Sequence, residues 1–318
     1  MTTPPLITIG ITCFQARDTI AKAIQSALDQ DWPNFEVIVV DDCSEDDSVE
    51  IIKSLISGIN NARLIRHEIN TGPAASRNTI LSNASGEFLA FFDDDDISLP
   101  SRIRVQLNQL KSYELRYGVN LIACYASGVR RYSNGYELEI SAIGSRYDIP
   151  KGEVVADYLL FNSRRSNVFY GGGTPTCSLM ARTTTFLAVE GFDSSLRRVE
   201  DVDFAIRLAM AGGHFIGCKD LLYIQNATLA LDKSPFKNFE AELRMVEKNE
   251  LYLKSKNRYD YSKSWFRIRY YHFSQQRIKF VFALMVFLIK FPAPGIKHFM
   301  HSAPRRLAHE LKMFRRAS

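Results

Sequence analysis

Long apolar runs are missing from this 318-residue chain. The longest candidate, Phe280 to Ile289, falls well short of the roughly 18–20 residues that cross a bilayer. No spanning helix is expected. A basic leader is missing too. Met1 to Pro5 carries no lysine or arginine, and the run Leu6 to Phe14 is short and broken by Thr8, Gly10 and Thr12. It does not read as a signal peptide. Cysteine is sparse. Cys13, Cys43, Cys124, Cys177 and Cys218 are odd in number, scattered, and form no CxxC pair. That argues against a disulfide framework or a zinc site, and a reducing compartment fits. No internal repeat or low-complexity segment occurs.

What is present is an ordinary globular composition, 46% hydrophobic and 24% charged, long enough for one large domain or two. The net charge of +5 conceals an asymmetry. From Lys254 to the end there are 15 lysines and arginines against 2 acids, so the rest of the chain is net acidic. A basic tail on an acidic body points to an anionic partner, a membrane surface or nucleic acid.

Strand and helix patterns alternate through the first hundred residues. Leu6 to Cys13 and Phe35 to Val40 are continuous runs rich in β-branched residues, as buried strands are. Ala62 to His67 and Glu87 to Phe92 read as further strands. Between them, Asp18 to Gln30, Ser48 to Ile56 and Pro73 to Ser82 have helical spacing. This alternation predicts βαβ units, a parallel sheet with helices on both faces, and ligands at the strands' carboxyl ends. Polar groups sit at those ends: Thr12, Asp41-Asp42, and the run Asp93 to Asp96. Residues 111–169 carry a weaker pattern, with one strand at Leu121 to Ala126. Asp201 to Ala211 reads as a helix, and the chain beyond Phe239 as basic helix broken at Pro292, Pro294 and Pro304. Gly171 to Gly173 matches neither a dinucleotide nor a phosphate loop. It reads as a mobile loop over a bound substrate or as an ordinary linker.

Four adjacent carboxylates repel one another and need cations or strong solvation to stay ionised. An isolated run of this kind is a solvated acidic turn capping the next helix. At the end of an apolar strand, in line with other polar strand ends, it reads instead as a site for a hard cation such as Mg²⁺ or Mn²⁺, which also binds substrate phosphates.

Several segments, in order, resemble family 2 glycosyltransferases. They are VIVVDDCSEDDS (Val37 to Ser48), Asn70-Thr71-Gly72 with Ala75-Ser76-Arg77-Asn78, FFDDDDISLPSRI (Phe91 to Ile103), and Gly191-Phe192-Asp193 followed by Glu200-Asp201 and Arg207. The resemblance implies a GT-A fold, a Rossmann-like mixed sheet flanked by helices, and inverting sugar transfer from a nucleoside-diphosphate sugar. It implies that Thr12 and Asp42 bind the base, often uracil, and that Arg77 lies near the nucleotide and its phosphates. Asp93 or Asp94 would contact the ribose, Asp95 would ligate Mn²⁺ or Mg²⁺, and Asp201 would be the catalytic base. Phe14-Gln15 and Cys43 depart from the family pattern. The Gln-x-x-Arg-Trp element of processive members is absent, which argues for single-sugar transfer.

These readings divide the chain into a catalytic domain at 1–235, with a donor-binding half to about 110 and an acceptor-side half beyond it, and a basic helical extension at 236–318. In the extension, Arg277 to Lys290 is an apolar stretch flanked by cations. It suits a helix at a membrane interface, or else a core helix packed on the catalytic domain. The expected acceptor is a lipid-linked glycan at the cytoplasmic membrane face, with the enzyme peripheral there. No nucleic acid is expected, since no binding motif accompanies the charge. The rivals are a nucleotidyltransferase making sugar nucleotides and a non-catalytic sugar- or lipid-binding protein. The first wants a glycine-rich basic loop after strand one, where this chain reads Cys13 to Asp18 without glycine.

Overall fold

Strands covered on both faces must be apolar throughout, and the two strongest apolar runs form such strands. The computed structural model describes residues 3–227 and 234–315. In it, β1 (Ile7–Cys13) and β2 (Phe35–Asp41) are buried along nearly their whole length. Helices α1 (Ile20–Leu28), α2 (Ser48–Ile56) and α3 (Pro73–Asn83) alternate with β3 (Ala62–Arg66) and β4 (Phe88–Asp93). The four strands pair in parallel in the order β3-β2-β1-β4. Their ends lie within two residues of the expected ones, apart from small shifts in the helices.

The second half of the sheet is mixed. β5 (Ile97–Ser98) and α4 (Arg102–Tyr117) precede β6 (Ile122–Arg131) and β7 (Glu137–Ile140). Then come α5 (Glu153–Phe161), a 3-10 turn at Thr176–Ser178, β8 (Leu179–Arg182), α6 (Thr183–Leu187), α7 (Glu200–Met210) and β9 (His214–Asn226). β8 pairs antiparallel with both β4 and β6, and β9 runs parallel to β6 and antiparallel to β5. The sheet order is β3-β2-β1-β4-β8-β6-β9-β5, with β7 on β6. β6 extends five residues past the expected Ala126, through a register shift between Tyr125 and Gly128. A side chain at Gly128 would meet the Tyr223 ring at 2.4 Å, so only glycine lets β9 cross there.

Contacts divide the chain into two compact units. The first comprises Met1–Arg131, Glu137–Ala156 and Arg165–Ala227, and its core is built on Ile7, Ile9, Val37, Val39, Phe88 and Ile103. The second comprises Tyr132–Tyr136, Asp157–Arg164 and Thr228–Ser318. Its helices are α8 (Pro235–Lys248), α9 (Glu250–Ser255), α10 (Tyr259–Phe273), α11 (Arg277–Lys290) and α12 (Pro292–Arg315). Its small core gathers Tyr261, Ile268 and Phe287 with Trp265. The buried His298 imidazole meets the Tyr261 hydroxyl at 2.9 Å, and burial pushes its pKa down to about 3, so it packs neutral. Pro292 opens α12, where a proline's missing N–H costs nothing. Pro304, read from sequence as a break, lies inside α12.

Candidate active site

Three parallel strands deliver their last residues side by side. Thr12 of β1 lies in register between Val40 of β2 and Asp93 of β4. The Asp42 N–H donates to the Cys13 carbonyl at 2.8 Å, and the Phe14 N–H donates to Asp94 Oδ2 at 2.9 Å. These bonds tie the three ends together. The Thr12 hydroxyl makes no hydrogen bond among the described residues.

Asp42 is buried, and its carboxylate already accepts four bonds. Oδ1 takes the Thr71 N–H at 2.9 Å, the Thr71 hydroxyl at 2.9 Å and His67 Nδ1 at 2.8 Å. Oδ2 takes the Gly72 N–H at 2.7 Å. Burial works to raise its pKa, but the donors from Thr71, His67 and Gly72 outweigh it and hold Asp42 below its ordinary value. The Asn70-Thr71-Gly72 element is thus a cradle for this carboxylate. Any contact from Asp42 to a base would be added to these bonds. Gly72 takes a left-handed backbone (φ 91°) to aim its N–H, and Pro73 then starts α3.

The acid run is a tight turn between β4 and β5. Burial first, then the neighbouring Asp95 and Asp93 charges, push Asp94 up to about 8. Burial and the same two charges push Asp96 up to about 8. Asp93 is raised by burial, and the Arg77 cation offsets only part of this. Carboxylate oxygens of Asp93 and Asp96 and the Cys177 sulfur lie within 4.8 Å of one another. Asp96 Oδ2 is buried and has no hydrogen-bond partner. Converging oxygens that cannot all stay ionised, one of them orphaned, fit a hard divalent cation. Asp95 is not part of that trio. Its backbone carbonyl accepts the Asn226 amide at 2.7 Å, while the Asn226 N–H donates to Asp96 Oδ1 at 3.2 Å.

Below the turn lies Arg102, fully buried and without a carboxylate partner among the described residues. It donates to the Phe91 carbonyl at 2.9 Å and the Ser98 hydroxyl at 2.8 Å, and its guanidinium stacks over Phe92 at 4.2 Å. The trailing arginine of the motif therefore braces both strands that flank the turn.

Arg77 links the turn to α7. Its guanidinium donates to Glu200 at 2.5 Å and lies 3.7 Å from Asp93. Burial opposes its charge, but Glu200 and Asp93 more than compensate and raise its pKa. Asp201 follows at the start of α7. One oxygen accepts the Val202 N–H at 2.8 Å, and the other makes no hydrogen bond among the described residues. Burial and then the Glu200 charge push Asp201 up to about 7. Asp201 is not the helix cap. That position falls on Val199, a β-branched residue in the left-handed region (φ 58°, ψ 17°). Such strain costs on the order of 1–3 kcal/mol and clusters at functional sites.

The Arg77–Glu200 pair carries a stability prediction. Arg77→Met leaves a buried carboxylate without its cation and should cost about 3–5 kcal/mol in urea unfolding. The double change Arg77→Met/Glu200→Gln should recover part of that loss. No recovery would show that the two residues act independently.

Sequence reading missed Asn226, which fastens the acid turn, and His67, which bridges Asp42 and Thr79. It missed Tyr125, whose buried hydroxyl has no partner among the described residues and whose proton is held by burial and by the Asp201 charge. In the sequence Cys177 is only one of five scattered thiols. None of these lies in a recognisable motif. His67 reaches the site from the end of β3, and Tyr125, Cys177 and Asn226 reach it through β6, the turn before β8, and β9, whose pairing no local pattern signals.

A mixed sheet whose parallel strands end in clustered carboxylates, beside an acidic helix start, is the arrangement of a GT-A-type fold. S. aureus TarS (residues 1–349), solved with UDP, aligns with a TM-score of 0.57 over 85% of this chain and 73% of that one, at 22% identity. Residues 8–174 match the family described as Glycosyl transferase family 2. The chain belongs to that family of sugar-transferring enzymes. It is 27% identical to the putative glycosyltransferase EpsE of Bacillus subtilis (strain 168), over 70% of this chain and 73% of EpsE. It is 35% identical to WfgD of Escherichia coli, a UDP-Glc:alpha-D-GlcNAc-diphosphoundecaprenol beta-1,3-glucosyltransferase, over 33% of this chain. That alignment spans only 41% of WfgD.

Proposed function

We propose that the chain moves one sugar, with inversion, from a nucleoside-diphosphate sugar, UDP-linked by preference, to a hydroxyl of a lipid-linked glycan in surface polysaccharide assembly. The observation that carries this reading is Asp201. It is a carboxylate tuned to about 7 with one oxygen free, joined through Glu200 and Arg77 to the acid turn at the strand ends. A general base works best when its pKa lies near the operating pH.

Thr12 offers a free hydroxyl at the base-side strand end, and Asp42 fixes the loop beside it. Asp93 or Asp94 contacts the ribose. Asp95, with Asp93 and Asp96 at hand, would hold Mn²⁺ or Mg²⁺. Bound there, the ion supplies Lewis-acid stabilisation of the leaving diphosphate. Arg77 holds α3, the acid turn and α7 at fixed spacing beside the phosphates. Asp201 accepts the acceptor hydroxyl's proton as that oxygen bonds to C1. The bond from C1 to the diphosphate oxygen breaks on the opposite face, so a single displacement inverts the anomeric carbon.

The substrate in WfgD's name supports a lipid-linked acceptor, and the UDP bound to TarS supports the nucleotide. Among the described residues no helix is long and apolar enough to cross a membrane. We place the enzyme peripherally on the inner membrane face, attached through its basic C-terminal helices. The test is a donor-hydrolysis screen across nucleotide sugars with and without Mn²⁺. Slow, Mn²⁺-dependent release of UDP from one or more UDP-sugars is expected. Hydrolysis of none, or pyrophosphorolysis in place of transfer, would refute the reading.

A further inference from the structure

The C-terminal unit leaves an apolar face uncovered. Among the described residues, nine of the twenty exposed large apolar side chains lie on α11 and α12. Along α11, Ile278, Val281, Phe282, Met285, Val286 and Ile289 recur at helical spacing and are 46–87% exposed. The opposite side of the same helix, with Phe287 at 1%, packs into the unit's core. A soluble surface helix points its apolar stripe inward and its polar face outward. α11 is apolar on both.

Between α10 and α11 this face opens into a groove of about 460 Å³. Ile278, Phe282 and Val286 line one part of it, and Arg267, Lys279 and Lys290 supply three cations. Arg267 has no carboxylate partner among the described residues. Lys279 rests over the Tyr271 ring at 5.9 Å, also without a carboxylate. Lys290 shares Asp260 at 3.2 Å, the only acid on either helix. Cations at an apolar wall with so little counter-charge complement an amphiphile with an anionic head.

We propose that this groove seats the phosphate head of an anionic membrane phospholipid, with the apolar stripe of α11 lying in the acyl layer beside it. A free phosphate would satisfy the cations and leave the stripe in water. A neutral lipid would cover the stripe and leave Arg267 and Lys279 unpaired. At 14 residues α11 is about 21 Å long, too short to span the roughly 30 Å core, so it lies in the interface plane. The inference sharpens the membrane attachment proposed above and does not depend on the sugar chemistry.

The experiment measures sedimentation of the full chain with vesicles of pure phosphatidylcholine and of an equal mixture with phosphatidylglycerol. Each basic residue near an anionic surface contributes a factor of about five. The groove pair R267Q/K279Q should therefore weaken binding to the mixed vesicles about twenty-five-fold and sharply reduce their advantage over pure phosphatidylcholine. The pair R277Q/K297Q removes the same charge from neighbouring positions outside the groove, and should cost much less. F282D should weaken binding to both vesicle types. Donor hydrolysis in each variant, and its circular dichroism, report separately on the catalytic unit and the fold. Equal losses from the two charge pairs would mean diffuse attraction and overturn the groove. So would a wild-type chain that ignores vesicles, or one that sediments as a dimer which F282D dissociates.

Discussion

Asp201→Asn should lower turnover by roughly 10²–10⁴-fold, the usual contribution of a general base, with donor affinity almost unchanged. The substitution keeps the side chain's shape and its bond from the Val202 N–H, and removes only basicity. The pH profile gives a second readout. Burial and Glu200 push Asp201 up to about 7, and only its deprotonated form can accept a proton. Turnover of the native enzyme should therefore climb as pH rises through about 7 and level off above it. An unperturbed aspartate, near 3.9, would have reached its plateau well before pH 6. The Asn variant should lose this limb. A donor dissociation constant that rose in step with the lost turnover would make Asp201 a binding residue instead.

Asp95→Ala should leave no measurable transfer and should weaken UDP binding in Mn²⁺, while the thermal unfolding transition stays in place. The Asn226 bond to the Asp95 backbone carbonyl, which alanine keeps, still fastens the turn in the variant. EDTA should reproduce the loss in the native enzyme, and added Mn²⁺ or Mg²⁺ should reverse it. Full turnover in EDTA would end the metal reading altogether. If Asp96→Asn proved more damaging than Asp95→Ala, the ion would belong with the trio of Asp93, Asp96 and Cys177.

The donor-side strands were legible because a doubly covered parallel strand has little choice of composition. FEVIVV can be little else, and β2 begins at Phe35 and ends one residue past Val40. α2 runs from Ser48 to Ile56 as its spacing indicates. In the mixed half only the start of β6 and α7 were legible. β8 has four residues and β5 two, too few to display a period. β9 carries an exposed Lys219-Asp220-Leu221 in its middle, which breaks any alternation. At the site, motifs located the carboxylates but not their tuning. Nothing in the letters Glu200-Asp201 says that Arg77, more than a hundred positions earlier, is bonded to the first of them. Nor do they say that Val199 turns left-handed to aim both.

The same architecture sets a timetable for synthesis. The acid turn at 93–96 is fastened by Asn226, whose two bonds to it bridge 130 and 131 positions of chain. A ribosome adding about 5–20 residues per second needs on the order of ten seconds to cover that interval. During it the nascent chain holds β1 to β4 and a cluster of acids, without Asn226 and without the proposed base. Residues 8–174, the stretch that matches the family, end before Cys177, Glu200, Asp201 and Asn226 have been made. By the roles proposed above, the segment by which the protein is recognised lacks the base and the residue that fastens the acid turn. Competence arrives late, with β9, when the last strand enters the sheet beside β6.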